Sequence, residues 1–161
     1  MMSWVYVKFF IVMVVTSLML VACTDEEVPD EQQVRNTIVQ LETAIESGSV
    51  QQAVKLLSTD YSDKFHPRRG AAARSLFGYM QRHRNINLFS LVKQIDIADD
   101  GASAKVVVQV ALTGVPVKSK ETLFSIKADF YRFEIELKSI DDLWLISTAH
   151  WQRGALDLFE D

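Results

Sequence analysis

The spacing of apolar residues changes once along this chain, near residue 85, and that change restricts the fold more than any other feature. Before it, apolar residues recur at intervals of three and four, the period of an amphipathic helix. After it, they alternate with polar residues, the period of a β-strand. Helices followed by strands predict an α+β domain, in which N-terminal helices pack on a bent antiparallel sheet of about four strands.

Capping signals predict the ends of the first two helices. A capping box formed by Asp30 and Gln33 begins the first helix, and Gly48 is a typical residue at a helix end. Ser49 with Gln52 forms a second capping box, which opens a shorter helix. Because only a short turn separates them, the two helices must fold back on each other.

The remaining elements are a third helix and four strands. The helix is predicted over residues 70–83. Its inward-facing residues are expected to be Leu76, Phe77 and Met80. The strands are predicted at residues 88–97, 104–112, 122–138 and 143–153. The alternation slips within the third strand, and one extra residue near Phe130 and Tyr131 would explain the slip, so a β-bulge is predicted there.

The single cysteine, Cys23, lies where an apolar run of 14 residues ends. The run follows Lys8 and has the length of a signal-peptide core, which is short for a membrane span. The sequence Leu-Val-Ala-Cys at 20–23 resembles the lipobox of bacterial lipoproteins. The resemblance implies cleavage before Cys23 and lipid, such as palmitate, on its sulfur and its new amino group. An uncleaved anchor helix over residues 5–22 and an incidental cysteine in a secretory signal are the alternatives.

The lipobox divides the chain into a signal peptide over residues 1–22, an acidic tether over 23–29 and a domain over 30–161. Several acyl chains on Cys23 would hold the protein on a bilayer. The expected location is therefore the cell envelope, as a membrane lipoprotein facing the periplasm. Thr24 stands where such lipoproteins carry Asp if they stay in the inner membrane, so the outer membrane is favoured.

Two strings resemble the nuclear transport factor 2-like superfamily, including its SnoaL-like branch. They are AIESGSVQQAVKLLSTDYSD and DDLWLISTAHWQRG. In that superfamily a helical pair ends in an acidic-aromatic step, as at Asp60 and Tyr61, and the last strand carries residues like Trp144, Ile146 and His150. The resemblance covers about residues 30–154 and implies a cone-shaped cavity between the helices and the sheet, the cystatin-like superfold. A bacterial cystatin-like domain outside this superfamily is the alternative.

Enzymes of this superfamily move protons with Asp, His and Tyr side chains at the cavity. The corresponding candidates here are Asp60, Tyr61, His66, Tyr79, Tyr131 and His150. His150 is favoured, because alternation places it on the same sheet face as Trp144, Ile146 and Thr148. Pocket residues are expected to include Trp144, Ile146 and Tyr131. The alternative is structural: His150 is a hydrogen-bonded histidine at the sheet edge, Asp60 caps a turn and Tyr61 fills the base of the cone.

The net charge argues against nucleic acid as a partner, because the chain has only 17 Lys and Arg against 21 Asp and Glu. Residues 64–84 nevertheless contain only basic charges. These are Lys64, Arg68, Arg69, Arg74, Arg82 and Arg84. Among them, Arg68, Arg69 and Arg74 are predicted to contact an anionic component of the envelope. The alternative is a solvated helix face, balanced by acids on neighbouring elements.

No metal site or cofactor is expected. His66, His83 and His150 share no ligand spacing, and the chain has no glycine-rich phosphate loop. A homodimer through the sheet is expected instead, because aromatic residues on both sheet faces would need cover. These residues are Phe130, Tyr131, Phe133, Trp144 and Trp151, with the two tryptophans on opposite faces of the last strand.

Together these features predict a lipid-anchored envelope protein whose domain binds an apolar ligand or a partner without catalysing a reaction. One alternative is a periplasmic acid–base enzyme of the isomerase or hydratase type, which would use His150 and Asp60. Another is an accessory or inhibitor subunit of an envelope complex.

Overall fold

The computed structural model describes residues 28–83 and 85–159. The predicted signal peptide, Cys23, most of the tether and Arg84 lie outside the described residues. Within the described ranges, no helix is long and apolar enough to cross a membrane.

The domain consists of helices followed by a four-stranded antiparallel sheet, which confirms the predicted fold class. The helices are α1 (Asp30–Glu46), α2 (Val50–Lys55), α3 (Arg69–Arg82) and the single turn α4 (Lys120–Leu123). The strands are β1 (Asn87–Ile97), β2 (Ser103–Thr113), β3 (Ala128–Ile140) and β4 (Leu143–Arg153), followed by a 3-10 helix (Leu156–Phe159). The strand order is β1-β2-β3-β4, so each strand pairs with its neighbour in sequence and β1 and β4 are the two edges.

The end of α1 follows from local sequence as predicted. Gly48 has a φ of 70°, which glycine adopts without steric strain. The amide of Ser49 donates to the carbonyl of Ala44 at 2.8 Å, and the amide of Gly48 donates to that of Ile45 at 3.1 Å, a Schellman motif. The hydroxyl of Ser49 then accepts from the amide of Gln52 and caps α2.

The predicted cap at Asp30 is wrong. Pro29 occupies the N-cap position and makes no side-chain cap, while Asp30 is the first helical residue. The Asp30 carboxylate instead accepts a hydrogen bond from the indole N–H of Trp144 at 3.3 Å. A tertiary contact to β4 therefore replaces the local one.

The main core lies between the helices and the face of the sheet that they cover, here called the inner face. Its buried members come from α1, from the segment after α2 and from three strands. They are Val34, Ile38, Tyr61, Ala104, Val106, Val108, Val110, Ile135, Leu137, Trp144 and Ile146. In contrast, α3 contributes no buried residue. Phe77, predicted to face the core, is 55% exposed, so that prediction is wrong.

The other face of the sheet, the outer face, is covered at one end by the chain itself. Ala111, Leu123 and Phe159 form a second buried cluster there, called the outer cluster. The rings of Phe89 and Phe130 pack on Phe159 at centroid distances of 5.9 and 5.7 Å.

The predicted bulge at Phe130 and Tyr131 is absent, because β2 and β3 pair there without a register shift. The apparent slip arises because the predicted strand joined two different elements. Phe124 and Ile126 precede β3, beside the helical turn α4, and only residues from Ala128 onward belong to the strand.

A bulge occurs instead in β4, at Ser147. Leu137 pairs with Ile146 and Glu136 pairs with Thr148, so Ser147 is an extra residue on its strand. One extra residue exchanges the two faces for every residue that follows it. Trp151 therefore faces inward like Trp144, and the prediction that the two tryptophans lie on opposite faces is wrong.

The same bulge overturns the predicted placement of His150. Its partner across the sheet is Glu134, and it lies on the outer face, away from Trp144 and Ile146. The aromatic residues that motivated a homodimer are likewise packed within the chain. Tyr131, Phe133 and Trp151 line the inner side, and Phe130 joins the outer cluster. Dimerisation remains a prediction, for which other surface residues would be needed.

Candidate functional site

A cavity of about 530 Å³ lies between α3 and the inner face of the sheet. Its walls come from α1, α2, the segment after α2, α3 and inner-face residues of all four strands, and most of its side chains are apolar. Examples are Ile38, Leu41, Leu76, Val108, Phe133 and Trp151. This volume and lining are typical of small-molecule sites in proteins.

One side of the cavity carries a network of Tyr61, Asp63 and His66. The Tyr61 hydroxyl donates to Asp63 Oδ2 at 2.7 Å, and His66 Nδ1 lies 2.8 Å from the same oxygen. Asp63 Oδ1 accepts from the backbone amides of Phe65 and His66 at 2.7 and 2.9 Å. The Asp63 side chain is 1% exposed and that of His66 is 19% exposed. The loop before α3 is thus organised around one buried carboxylate.

The environment of this carboxylate favours its ionised form. Burial raises the pKa of Asp63, but the hydrogen bonds from Tyr61, His66 and the two amides outweigh burial and leave that pKa below its usual value. Burial, followed by the hydrogen bond to Asp63, raises the pKa of Tyr61 well above its usual value. Tyr61 therefore stays a hydroxyl that donates to Asp63.

Asp63 also orients the imidazole of His66. An ionised carboxylate only accepts hydrogen bonds, so Nδ1 carries the hydrogen of that contact and Nε2 is left for another partner. The His66 ring is stacked on Trp151, with 6.4 Å between centroids and 21° between planes. Because both residues line the cavity, a bound molecule can meet an imidazole whose position is set by Asp63.

A second polar position lies on the opposite side of the cavity, at Glu42 of α1. The Ser90 hydroxyl on β1 donates to Glu42 Oε1. Burial raises the pKa of Glu42, the hydrogen bond from Ser90 lowers it in part, and the nearby Glu46 carboxylate raises it again. The net pKa is raised, so ionisation of Glu42 is less favourable here than in water.

Two tyrosines, Tyr79 and Tyr131, also line the cavity. Burial raises the pKa of Tyr79, and the proximity of Tyr131 and Asp129 adds to the effect. The Tyr79 ring stacks on His83 at 4.3 Å between centroids. The hydroxyls of Tyr79 and Tyr131 are further groups that a ligand could contact.

The structure brings only some of the sequence-derived candidates to the cavity. Those that line it are Tyr61, His66, Tyr79, Tyr131 and Ile146. Trp144 is buried in the core and does not line the cavity, and His150 lies on the outer face. Asp60 also lies away from it, where hydrogen bonds from Lys138 and then from Ser58 lower its pKa to about 2.

Asp63 and Glu42 were not identified from the sequence. The string DKFH contains a usable signal for Asp63, because Asp commonly accepts from backbone amides two and three residues later. Glu42 has no such signal, since its role depends on the approach of Ser90 from a distant strand.

The three candidate anion contacts lie at the first half of α3. Arg68 and Arg74 are exposed, whereas Arg69 is half-buried and its Nε donates to the carbonyl of Val54 at 3.1 Å. Among the described residues, none of the three forms an ion pair with an acid. Among residues 28–83 and 85–159, no three His, Cys, Asp or Glu residues are grouped as a metal site would require.

A helical layer on one four-stranded antiparallel sheet, with a cavity between them, defines the nuclear transport factor 2-like fold, also called cystatin-like. Solved structures share it. One is a nuclear transport factor 2-like protein of unknown function from Shewanella oneidensis, with 17% identity over 75% of this chain and 97% of that one and a TM-score of 0.57. Another is a proposed scytalone dehydratase from Novosphingobium aromaticivorans, with 12% identity over 78% and 84% and a TM-score of 0.63.

A third is a cystatin-like protein of unknown function from Nostoc punctiforme, with 6% identity over 77% of this chain and 90% of that one and a TM-score of 0.58. At these identities the likeness concerns the fold alone. No family model matches the chain, and no curated protein matches it in sequence.

Proposed function

We propose that this protein is a lipid-anchored binding protein of the bacterial cell envelope, whose cavity takes up a small, largely apolar molecule. One observation carries the proposal: α3 has no buried residue and covers a cavity of about 530 Å³. Protein interiors are close-packed, and an unfilled apolar space between packed layers is destabilising. A bound molecule would fill that space and give α3 an apolar surface on which to pack.

The polar groups of the cavity are also suited to binding. Tyr61 and His66 are both bonded to Asp63, and Glu42 is bonded to Ser90. Such groups are suited to orienting a ligand within an apolar cavity.

Adjacent alanines on α3 provide a matched test of the binding site. Ala72 lines the cavity and Ala71 does not. Ala72→Leu is expected to fill space, to raise the free energy of unfolding by about 0.5–2 kcal/mol and to weaken the binding of 1-decanol about tenfold. Urea unfolding and calorimetric titration measure both effects, and Ala71→Leu should change neither. Failure of the wild type to bind 1-decanol, or equal affinity in all three proteins, would contradict the proposal.

The path of the chain supports a tether that leaves the cavity free. Asp30 contacts Trp144 near the β3–β4 turn, so α1 begins at that end of the sheet. Inner-face residues of that end, Ala104 and Leu137 among them, do not line the cavity. A lipid on Cys23 would therefore attach at the end of the domain away from the ligand.

Mass spectrometry of protein purified from bacterial membranes tests the anchor. The expected species begins at Cys23 and carries acyl chains, because the lipobox-like string ends there. Cys23→Ala is expected to keep residues 1–22 and to lack acyl mass, whereas the neighbouring Thr24→Ala should remain acylated. A mature wild-type species without acyl mass would overturn this part of the proposal.

Acid–base catalysis is the second candidate function, and the Asp63–His66 pair favours it. A buried carboxylate that orients an imidazole beside a cavity is suited to proton transfer. The activity would appear as His66-dependent deuterium exchange at the α-carbons of bicyclic ketones such as 2-decalone, followed by NMR. The same exchange rate with wild type and with His66→Ala would argue against it.

A further inference from the structure

The two polar positions of the cavity lie at opposite edges of the sheet. Glu42 is bonded to Ser90, which lies on the edge strand β1. His66 is stacked on Trp151, which lies on the other edge strand, β4. We call them the Glu42 pole and the His66 pole. Both line the same cavity, so one molecule could reach both.

Strand pairing gives the distance between the poles. Val92, Val108, Phe133 and Trp151 are successive partners across the four strands. Ser90 is the next inner-face residue along β1 from Val92. Three interstrand spacings of roughly 4.8 Å, with the two-residue offset along β1, place Ser90 and Trp151, and with them the two poles, on the order of 14–16 Å apart. The side chains between them that line the cavity are Val108, Val110, Phe133 and Tyr131, and of these only Tyr131 carries a polar atom.

The chemistry of the two poles is similar. At the Glu42 pole, Ser90 is bonded to Oε1, and the other carboxylate oxygen can accept a hydrogen bond. At the His66 pole, Nδ1 is bonded to Asp63, and Nε2 can accept one. Both poles therefore match hydroxyl groups. The mostly apolar lining of the cavity disfavours a charged molecule.

We propose that the cavity selects an elongated apolar molecule with a hydroxyl group at each end, one bound at Glu42 and the other at His66. This inference rests on the proposed binding function. It differs from a general preference for apolar molecules, because it requires two hydroxyl groups separated by a fixed apolar length.

The test compares 1,10-decanediol with 1-decanol by calorimetric titration of the purified full-length chain. The diol can bond to both poles and the alcohol to one at a time, so the diol is expected to bind about three- to tenfold more tightly. The shorter 1,5-pentanediol cannot span the poles and should gain no such advantage over 1-pentanol.

Variants at each pole identify the groups responsible. Glu42→Leu and His66→Leu are each expected to abolish the tighter binding of the diol, because each variant retains only one of the two poles. Glu31→Leu is the matched control: Glu31 is an exposed carboxylate of α1 that pairs with Arg35, does not line the cavity and should keep the advantage. The comparison of 1,10-decanediol with 1-decanol in the wild type remains a valid test even if a substitution impairs folding.

The outcomes separate this inference from the function on which it rests. Equal affinity of 1-decanol and 1,10-decanediol for the wild type would overturn the two-pole inference and leave apolar binding intact. No binding of either compound would overturn both.

Discussion

Replacing Asp63 with asparagine is expected to lower the free energy of unfolding by roughly 3 kcal/mol. The buried carboxylate accepts hydrogen bonds from the Tyr61 hydroxyl, the His66 ring and the amides of Phe65 and His66. An asparagine amide turns a donor toward some of these donors, and the buried groups then lose their partner. Urea unfolding at neutral pH measures the loss.

Asp99→Asn is the control for this variant. Its carboxylate is exposed in the turn between β1 and β2, so no measurable change in stability is expected. If Asp63→Asn were as stable as the wild type, the network around Tyr61 and His66 would not form in solution.

The contribution of Asp63 should also depend on pH in a defined direction. Its pKa is lowered in the folded state, so its stabilisation is complete above the unfolded value of about 3.9 and is lost as pH falls through the folded value. The difference in stability between wild type and Asp63→Asn should therefore be constant near neutral pH and shrink below about pH 4. A difference that stays constant into strong acid would show that ionisation of Asp63 does not matter.

Phe159→Ala is expected to lower the free energy of unfolding by roughly 3–5 kcal/mol. The ring is 1% exposed and packs on Phe89 and Phe130 across the outer face of the sheet. Its removal leaves a cavity in the outer cluster and exposes apolar surface to water. Chemical unfolding measures the loss, and sedimentation should detect self-association of the variant through that surface.

Phe124→Ala separates burial from residue type. Phe124 lies just after α4 and is 47% exposed, so its loss should cost much less than that of Phe159. Equal effects would mean that the C-terminal 3-10 helix does not cover the sheet in solution.

The sequence was sufficient where the structure depends on neighbouring residues. The helix end at Gly48 and the cap at Ser49 involve contacts within six residues of each other, and both were predicted. The strand that was predicted to start near residue 122 begins at Ala128, because Phe124 and Ile126, which follow the helical turn α4, imitate strand alternation. Apolar alternation alone does not distinguish a strand from a helical turn that packs on a sheet.

The candidate site was only partly predictable. Tyr61 and His66 were named from the sequence and line the cavity, whereas Asp63, which holds both, was missed. His150 was favoured and lies on the outer face. Strict alternation along β4 predicts the wrong face for His150, because the strand contains an extra residue at Ser147.

By itself, the sequence determined the class and order of the elements, because hydrophobic period, capping and turns depend on residues close in the chain. The tertiary structure alone decided which side chains of β4 face the cavity. The segment after α2 pairs with that strand: Ile146 donates to Leu56 at 2.9 Å, and the amide of Ser62 donates to the carbonyl of Ser147 at 3.3 Å. These bonds hold β4 at the site of its extra residue, and they join residues far apart in sequence. The bulge at Ser147 turns Trp151 inward and His150 outward, so a single backbone irregularity sets which groups a ligand can meet.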